Sequence, residues 1–230
     1  MTTPLRVRYQ TVEFGSADIH LCTLRDKQQF SDPLGVADGL GISSASWPLF
    51  GVVWPSGLVL ANFMQNYTTT GKRILELGCG MALSSLLLNA RQADITATDY
   101  HPDAEFFLNR NTLLNNGKAI PFARTGWADN SDQLGRFDLI IGSDVLYEDG
   151  HIALLSSFIQ NHANAVCDVI IVDPGRGRKN KFITLMQTHG FSHSHLKPVP
   201  ATNLEPPFKG DILLFSRGAG APPTATTTTA

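Results

Sequence analysis

From Arg73 onward one pattern repeats, and it restricts the chain to few architectures. Short apolar runs alternate with segments of helical period. The runs are Arg73–Leu77, Asp94–Asp99, Pro121–Arg124, Phe137–Ser143 and Asp168–Asp173. Between them lie helix-like segments at Met81–Ala90, Pro102–Asn115, His151–Ala163 and Asn180–His189. The runs are close to continuously apolar, as strands buried on both faces are, which is the condition of a parallel sheet covered by helices. Phe191–Pro198 and Asp211–Arg217 read as two closing strands with no helix between them, so they add an antiparallel end. The expected fold is a doubly wound α/β sheet, mostly parallel. Ligands of such sheets lie beyond the carboxyl ends of the strands, near the topological switch. Candidate chemistry is therefore sought at strand ends.

The segment before Arg73 has a different texture. Val7, Tyr9, Val12 and Phe14 alternate loosely, as do Ile19, Leu21 and Thr23, and the break Gly15-Ser16-Ala17-Asp18 between them predicts a hairpin. Ser31–Ser46 reads as a loop, and Ser56–Asn66 as a helix following the aromatic, proline-stiffened Trp47–Gly57. The expected organisation is a hairpin and loop extension over 1–46, a main domain over 47–217 and a tail over 218–230. The tail holds no large apolar residue and is expected to be disordered.

Composition narrows the functional classes. The 18 Lys+Arg nearly balance the 20 Asp+Glu, for a net charge of −2. That argues against a domain that tracks a phosphate backbone by charge alone, so nucleic acid is not an expected partner. Three widely spaced cysteines without a CxxC predict neither a disulfide framework nor a zinc site, which fits a reducing compartment. No apolar run reaches the length of a membrane span, and the first ten residues lack the apolar stretch of a signal peptide. The expected location is the cytoplasm, with no membrane and no metal.

Four features fall at strand ends. Glu76-Leu77-Gly78-Cys79-Gly80 joins the first run to a helix, where glycines bring backbone close to a ligand or simply make a tight turn. Asp99 ends the second run, 21 residues beyond Gly78. A carboxylate there suits the hydroxyls of a ribose, or the cap of the next helix. Trp127, after the third run, suits the flank of a flat base or a place in the core. Ser143-Asp144-Val145-Leu146-Tyr147 ends the fourth run, where Asp144 also reads as a turn residue. The first two features alone fit either a nicotinamide dinucleotide or S-adenosylmethionine.

Together these segments resemble the class I, seven-stranded, Rossmann-like S-adenosylmethionine-dependent methyltransferases. Within them they resemble the family 16 protein-lysine methyltransferases and their bacterial relatives. The similarity rests on VWPSGLVLANFM at Val53–Met64, ILELGCGMALSS at Ile74–Ser85, ITATDYHPDAEFFLNRNTLLN at Ile95–Asn115, TGWADN at Thr125–Asn130 and FDLIIGSDVLYEDGHIALL at Phe137–Leu155. The resemblance implies S-adenosylmethionine as cofactor. It implies that Gly78, Cys79 and Gly80 hold the methionine part through backbone, and that Glu76 orients that loop or reaches the cofactor's amino group. It further implies that Asp99 holds the ribose, Trp127 flanks the adenine, Ser143 contacts the cofactor and Trp54 closes the site. Asp144 and Tyr147 match an Asp/Glu-x-x-Tyr/Phe motif that borders the substrate lysine. One departure is Met81-Ala82, where that family often has Thr-Gly.

The implied activity is methyl transfer to a lysine amine of a protein. A small-molecule amine or another side chain is the alternative acceptor. A nicotinamide-dependent oxidoreductase and a non-catalytic cofactor-binding module are further alternatives, the former weakened by Leu83 where the dinucleotide fingerprint needs its last glycine. No Asn-Pro-Pro-Tyr or Asp-Pro-Pro-Tyr motif points to base methylation. His101 and His151 lie beyond strand ends. Asn111 and Asn115, four apart on one helical face, reach either a substrate rim or backbone groups. His193 and His195 read as surface residues, and Arg176-Gly177-Arg178-Lys179 as a solvated run or a docking patch for an acidic surface.

Overall fold

Strand alternation at the centre of the sheet sends side chains to two separate cores. In the computed structural model, Ile74, Leu139, Ile141, Ile170 and Val172 face one core. Their neighbours Leu75, Leu77, Ile140, Val169 and Ile171 face the other. Both faces are apolar, so the strands show no polar side, as their sequence requires. The structure describes residues 6–15, 17–27, 30–129, 133–198 and 204–218. The expected tail lies, from 219 on, outside them.

Nine strands are described: β1 (Val7–Phe14), β2 (Ala17–Leu24), β3 (Arg73–Leu77), β4 (Asp94–Asp99), β5 (Phe122–Arg124), β6 (Phe137–Ser143), β7 (Ala163–Asp173), β8 (Ser192–Leu196) and β9 (Asp211–Arg217). The helices are α1 (Val36–Gly39), α2 (Pro55–Gln65), α3 (Leu83–Ala90), α4 (Ala104–Leu114), α5 (His151–His162) and α6 (Lys179–Thr188), with a 3₁₀ turn at Ser44–Leu49. Strands β1 and β2 form an antiparallel hairpin, and the other seven form one sheet in the order β5-β4-β3-β6-β7-β9-β8. All neighbours are parallel except at β9, which runs antiparallel to β7 and β8. The chain leaves β3 toward β4 and β5, then returns to the other side of β3 as β6. The switch point is thus the gap between the ends of β3 and β6. No described helix is long and apolar enough to cross a membrane.

Several boundaries differ from expectation for local reasons. Helix α3 starts at Leu83, not Met81, because Ala82 takes a left-handed φ of 56° at the cap. Helix α4 starts at Ala104, not Pro102, because the chain after Asp99 first closes a turn, with the Ala104 N–H donating to the His101 carbonyl. Strand β7 begins at Ala163, directly after α5, with a register irregularity where it meets β6. The loop expected at Ser31–Ser46 contains α1 and the start of the 3₁₀ turn.

The hairpin is joined to the main sheet by packing and by an unusual cap. Phe14, Ile19 and Leu21 share the core of α2 and α3. The outer edge of β2 would otherwise bury unpaired backbone. Two asparagines one turn apart on α4 take that edge instead. Asn111 accepts from the Cys22 N–H at 2.7 Å and donates to the Cys22 carbonyl at 3.2 Å. Asn115 accepts from the His20 N–H at 2.8 Å and donates to the His20 carbonyl at 2.7 Å. The i, i+4 spacing of the helix matches the i, i+2 spacing of the strand edge. Of the two expected roles for this pair, the structure shows backbone satisfaction. Replacing Asn111 with Ala leaves a buried N–H and carbonyl of Cys22 unpaired, a cost of about 3 kcal/mol. Urea denaturation of Asn111→Ala is expected to show that loss, and a midpoint equal to wild type would refute it.

Candidate active site

The switch point opens into a cleft of about 780 Å³, within the range of small-molecule sites. A smaller recess lies behind it, lined by the glycine turn, Glu76 and Ser84. The ten residues singled out by the sequence line these spaces. Trp54, Gly78, Gly80, Ser143 and Asp144 line both, Glu76 and Cys79 the recess, and Asp99, Trp127 and Tyr147 the cleft.

Three residues in left-handed conformation shape the turn after β3: Gly78 (φ 56°), Gly80 (φ 52°) and Ala82 (φ 56°). The first two are glycines, which adopt it freely, whereas Ala82 adopts it at a cost of about 1–2 kcal/mol. A Cβ added at Gly80 would touch no protein atom within 4 Å and would stand in open space. The turn is held from β4. The Cys79 N–H donates to the Thr98 carbonyl at 2.9 Å, and the Gly80 N–H to Asp99 Oδ2 at 2.8 Å. Asp99 Oδ1 accepts from the His101 N–H, also at 2.8 Å. The Cys79 amide, expected to face a ligand, is thus committed within the protein. Its side chain is buried and its thiol pKa raised by that burial, which makes it packing and not a nucleophile. Burial also raises the Asp99 pKa, against the backbone donors that hold its charged form.

Glu76 is buried where β3 ends. Its Oε2 accepts from the Ser85 N–H at 2.9 Å and from the Ser85 hydroxyl, so it pins the first turn of α3. Burial pushes its pKa from 4.5 up to about 7, opposed by the Ser85 bonds.

The aromatic wall is built from distant segments. Trp127, Tyr147 and His151 form a triangle with ring separations of 6.4, 5.7 and 5.9 Å. Burial raises the Tyr147 pKa to about 12, and the charges of Glu148, Asp99 and Asp144 add to it. The phenol thus stands within electrostatic reach of carboxylates from both βα loops. Trp54 donates its indole N–H to the Leu49 carbonyl at 2.8 Å, and Lys27 Nζ lies 4.2 Å over its ring. His101 stacks on Phe50 at 3.6 Å. Burial lowers its pKa to about 4, so it is neutral at pH 7. Its Nδ1 accepts from the Asp103 N–H, which puts the ring proton on Nε2, a buried donor without a partner among the described residues.

Asp144 is engaged in a way the sequence reading did not anticipate. Arg176 grips it with both arms of the fork, Nε to Oδ1 at 2.6 Å and Nη2 to Oδ2 at 2.8 Å. The Arg176–Lys179 run is exposed at Arg176 and Gly177, as a solvated run is, yet each of its charges is paired within the chain. Arg178 pairs with Asp149, and Lys179 with Asp211. Gly175 and Gly177, both at positive φ, bracket Arg176 and turn it toward β6. The signal for this was present in Asp173-Pro174-Gly175-Arg176, at the carboxyl end of a central strand. His193 is half-buried and stacks on the exposed His195, at 5.8 Å between ring centres.

A family model described as lysine methyltransferase matches residues 44–189. The chain belongs to that family. The zebrafish (Danio rerio) protein N-lysine methyltransferase METTL21A is 33% identical over 114 residues, 45% of this chain and 52% of that protein. The Danio rerio electron transfer flavoprotein beta subunit lysine methyltransferase is 28% identical over 155 residues, 65% of this chain and 58% of that one. The chain thus spans about half the length of the curated relatives it matches. Among solved structures, the T. thermophilus 16S rRNA N2 G1207 methyltransferase RsmC in complex with AdoMet and guanosine superposes with a TM-score of 0.64 at 14% identity, covering 94% of this chain and 52% of that one. At that identity the likeness shows the fold.

The matched span of the lysine methyltransferase family takes in the glycine turn after β3, the loop after β4, Trp127, the Asp144–Tyr147 motif and the Arg176 loop. Within it, Glu76 is one of the groups whose charge works against the fold, with Asp99 and Asp173. The Glu76 proton leaves near pH 4.5 in the unfolded chain and near pH 7 in the folded one. Between those values the folded state binds more protons, so stability falls as pH rises, by about 3 kcal/mol over the window. Urea titrations at pH 4.5 and 7 are expected to show this fall in wild type and a clearly smaller one in Glu76→Gln, where the other raised carboxylates remain. Equal pH dependence in the two proteins would exclude Glu76 as the source.

Proposed function

We propose that this protein transfers a methyl group from S-adenosylmethionine to the amine of a lysine in a protein substrate. The charge of the cleft carries this reading. Four carboxylates line it, Asp99, Asp129, Asp144 and Glu148, against one described cation, Arg176. A cationic sulfonium and a lysine amine suit such walls, whereas the phosphates of a nucleic acid or of a nicotinamide dinucleotide do not. Family membership points the same way, as does the similarity to the lysine methyltransferase METTL21A and to that of the electron transfer flavoprotein beta subunit. Leu49, Tyr100 and Leu154 are large apolar side chains exposed at the rim, which favours docking of a protein over enclosure of a small amine.

The residues present fit the cofactor. The open space over Gly80 and the unpartnered Nε2 of His101 suit a polar ligand. Asp99 would hold the ribose, Trp127 the adenine, and the glycine turn with Ser143 the methionine end. When bound, S-adenosylmethionine supplies a methyl carbon on a cationic sulfur, which leaves as a neutral thioether.

The protein's part is alignment. Holding nucleophile and electrophile in line is worth effective molarities of about 10⁵–10⁸ M. A lysine must also shed a proton, since its reference pKa is about 10.4. Exclusion of water from the filled cleft favours the neutral amine. Asp144 borders that channel, and its grip on Arg176 keeps the guanidinium from projecting into it.

Calorimetry is expected to show binding of S-adenosylmethionine and its demethylated product, and none of NAD. Asp99→Ala should weaken cofactor binding at least about tenfold, whereas Asp144→Ala should leave it within about threefold and abolish transfer. Labelled-methyl transfer into a lysate of the source cell, followed by mass spectrometry, tests the acceptor. Label confined to small molecules would overturn the protein-lysine reading, and binding of NAD alone would overturn the methyltransferase.

A further inference from the structure

The cleft has four carboxylates, and three are already committed. Asp99 takes the backbone N–H groups of Gly80 and His101. Asp129 Oδ2 accepts from the Gly126 N–H at 2.6 Å and the Thr125 hydroxyl at 3.4 Å. Both oxygens of Asp144 lie on Arg176, and its side chain is only 14% exposed. Glu148 differs. Its side chain is 52% exposed, and its ion-pair partner among the described residues is His151, with Nε2 3.4 Å from Oε2. That is a loose contact which a charged donor outcompetes.

The setting of Glu148 is suited to an ammonium. It follows Tyr147 directly, and His151 is the third member of the aromatic triangle with Trp127 and Tyr147. Aromatic faces beside a carboxylate attract an alkylammonium by cation–π interaction and by apolar contact with its methylene stem. We infer that Glu148, backed by His151 and walled by Tyr147, is the docking group for the acceptor ammonium, and that Asp144 is not. The inference rests on the lysine-methyltransferase reading above and assigns its acceptor subsite. Asp144 then has a different task, fixing Arg176 and with it the loop after β7. Charge on the entering lysine is met at the rim by Glu148, before the side chain passes the apolar triangle.

Glu148 is a positioning residue in this scheme, so its loss separates acceptor capture from turnover. The first measurement needs no known protein acceptor. The probe is n-butylammonium, a mimic of the lysine side chain, titrated into protein saturated with demethylated cofactor and followed by the indole N–H resonance of Trp127. Glu148→Gln is expected to weaken that binding about fivefold or more, with Glu148→Asp regaining part of it. The second measurement uses the acceptor protein found by label transfer. Glu148→Gln should raise its KM by a similar factor, while kcat and the cofactor dissociation constant stay within about twofold. Since Glu148 is half-exposed and off every core cluster, its variants are expected to keep the wild-type melting temperature. An unchanged butylammonium affinity and an unchanged acceptor KM in Glu148→Gln would overturn this subsite alone. Wild-type protein that binds the cofactor yet labels no lysine would overturn the activity and the subsite together.

Discussion

The carboxylate of Asp99 is the point at which two loops become one site. Its two oxygens reach opposite ways, to the Gly80 amide after β3 and to the His101 amide after β4. Parallel strands fix only the starting points of such loops. Beyond the last ladder bond, nothing in the sheet sets where a glycine turn goes, and glycines are the least constrained residues. One half-buried acceptor shared between both turns removes that freedom. The Cys79 amide on the Thr98 carbonyl makes the second tie. The glycine turn is therefore pre-formed by β4, not by helix α3. The same residue is expected to contact the ribose, so cofactor binding and loop order draw on one group.

Much of this was legible because it is local. Apolar runs and their ends are set within a few residues, so the strands of the main sheet and the glycine turn could be read from the chain directly. The antiparallel closing strand was legible from a missing helix. Non-local pairings carry no comparable signal. Arg176 and Asp144 are 32 residues apart, and their partnership depends on β6 and β7 being neighbours. Asn111 and Cys22 are 89 apart, and a polar pair on a helix face reads equally as solvent-exposed. The start of α3 was missed because a residue with a side chain takes the left-handed conformation at Ala82, a position where propensity points the other way. The internal pairing of the charged run at Arg176–Lys179 is not legible for a further reason. Composition gives charge but not direction, and two glycines at positive φ supply the direction.

The scarcity of charge in this chain has a structural cause with a functional consequence. Only 17% of residues are charged, because two faces of the sheet and the inner sides of the helices are apolar. Several of the buried and half-buried charges are gathered at one edge of the sheet, with Glu76, Asp99, Asp144 and Asp173 at the carboxyl ends of β3, β4, β6 and β7 and Asp211 at the start of the antiparallel β9. Burial raises the pKa of three of them, Glu76, Asp99 and Asp173, each by desolvation first. Such carboxylates are costly to ionise unless donors surround them. The protein provides those donors from its own backbone and side chains: Ser85 for Glu76, two amides for Asp99 and Arg176 for Asp144. A carboxylate satisfied in this way shapes a site but is poorly placed to receive a second cation. The interior acids thus set geometry, and a less satisfied acid at the rim is the one left to meet a charged substrate. The division follows from solvation, which makes donors for Glu76, Asp99 and Asp144 a condition of their burial; Asp173 departs from it, with Oδ2 on the Gly175 amide and Oδ1 buried without a partner among the described residues.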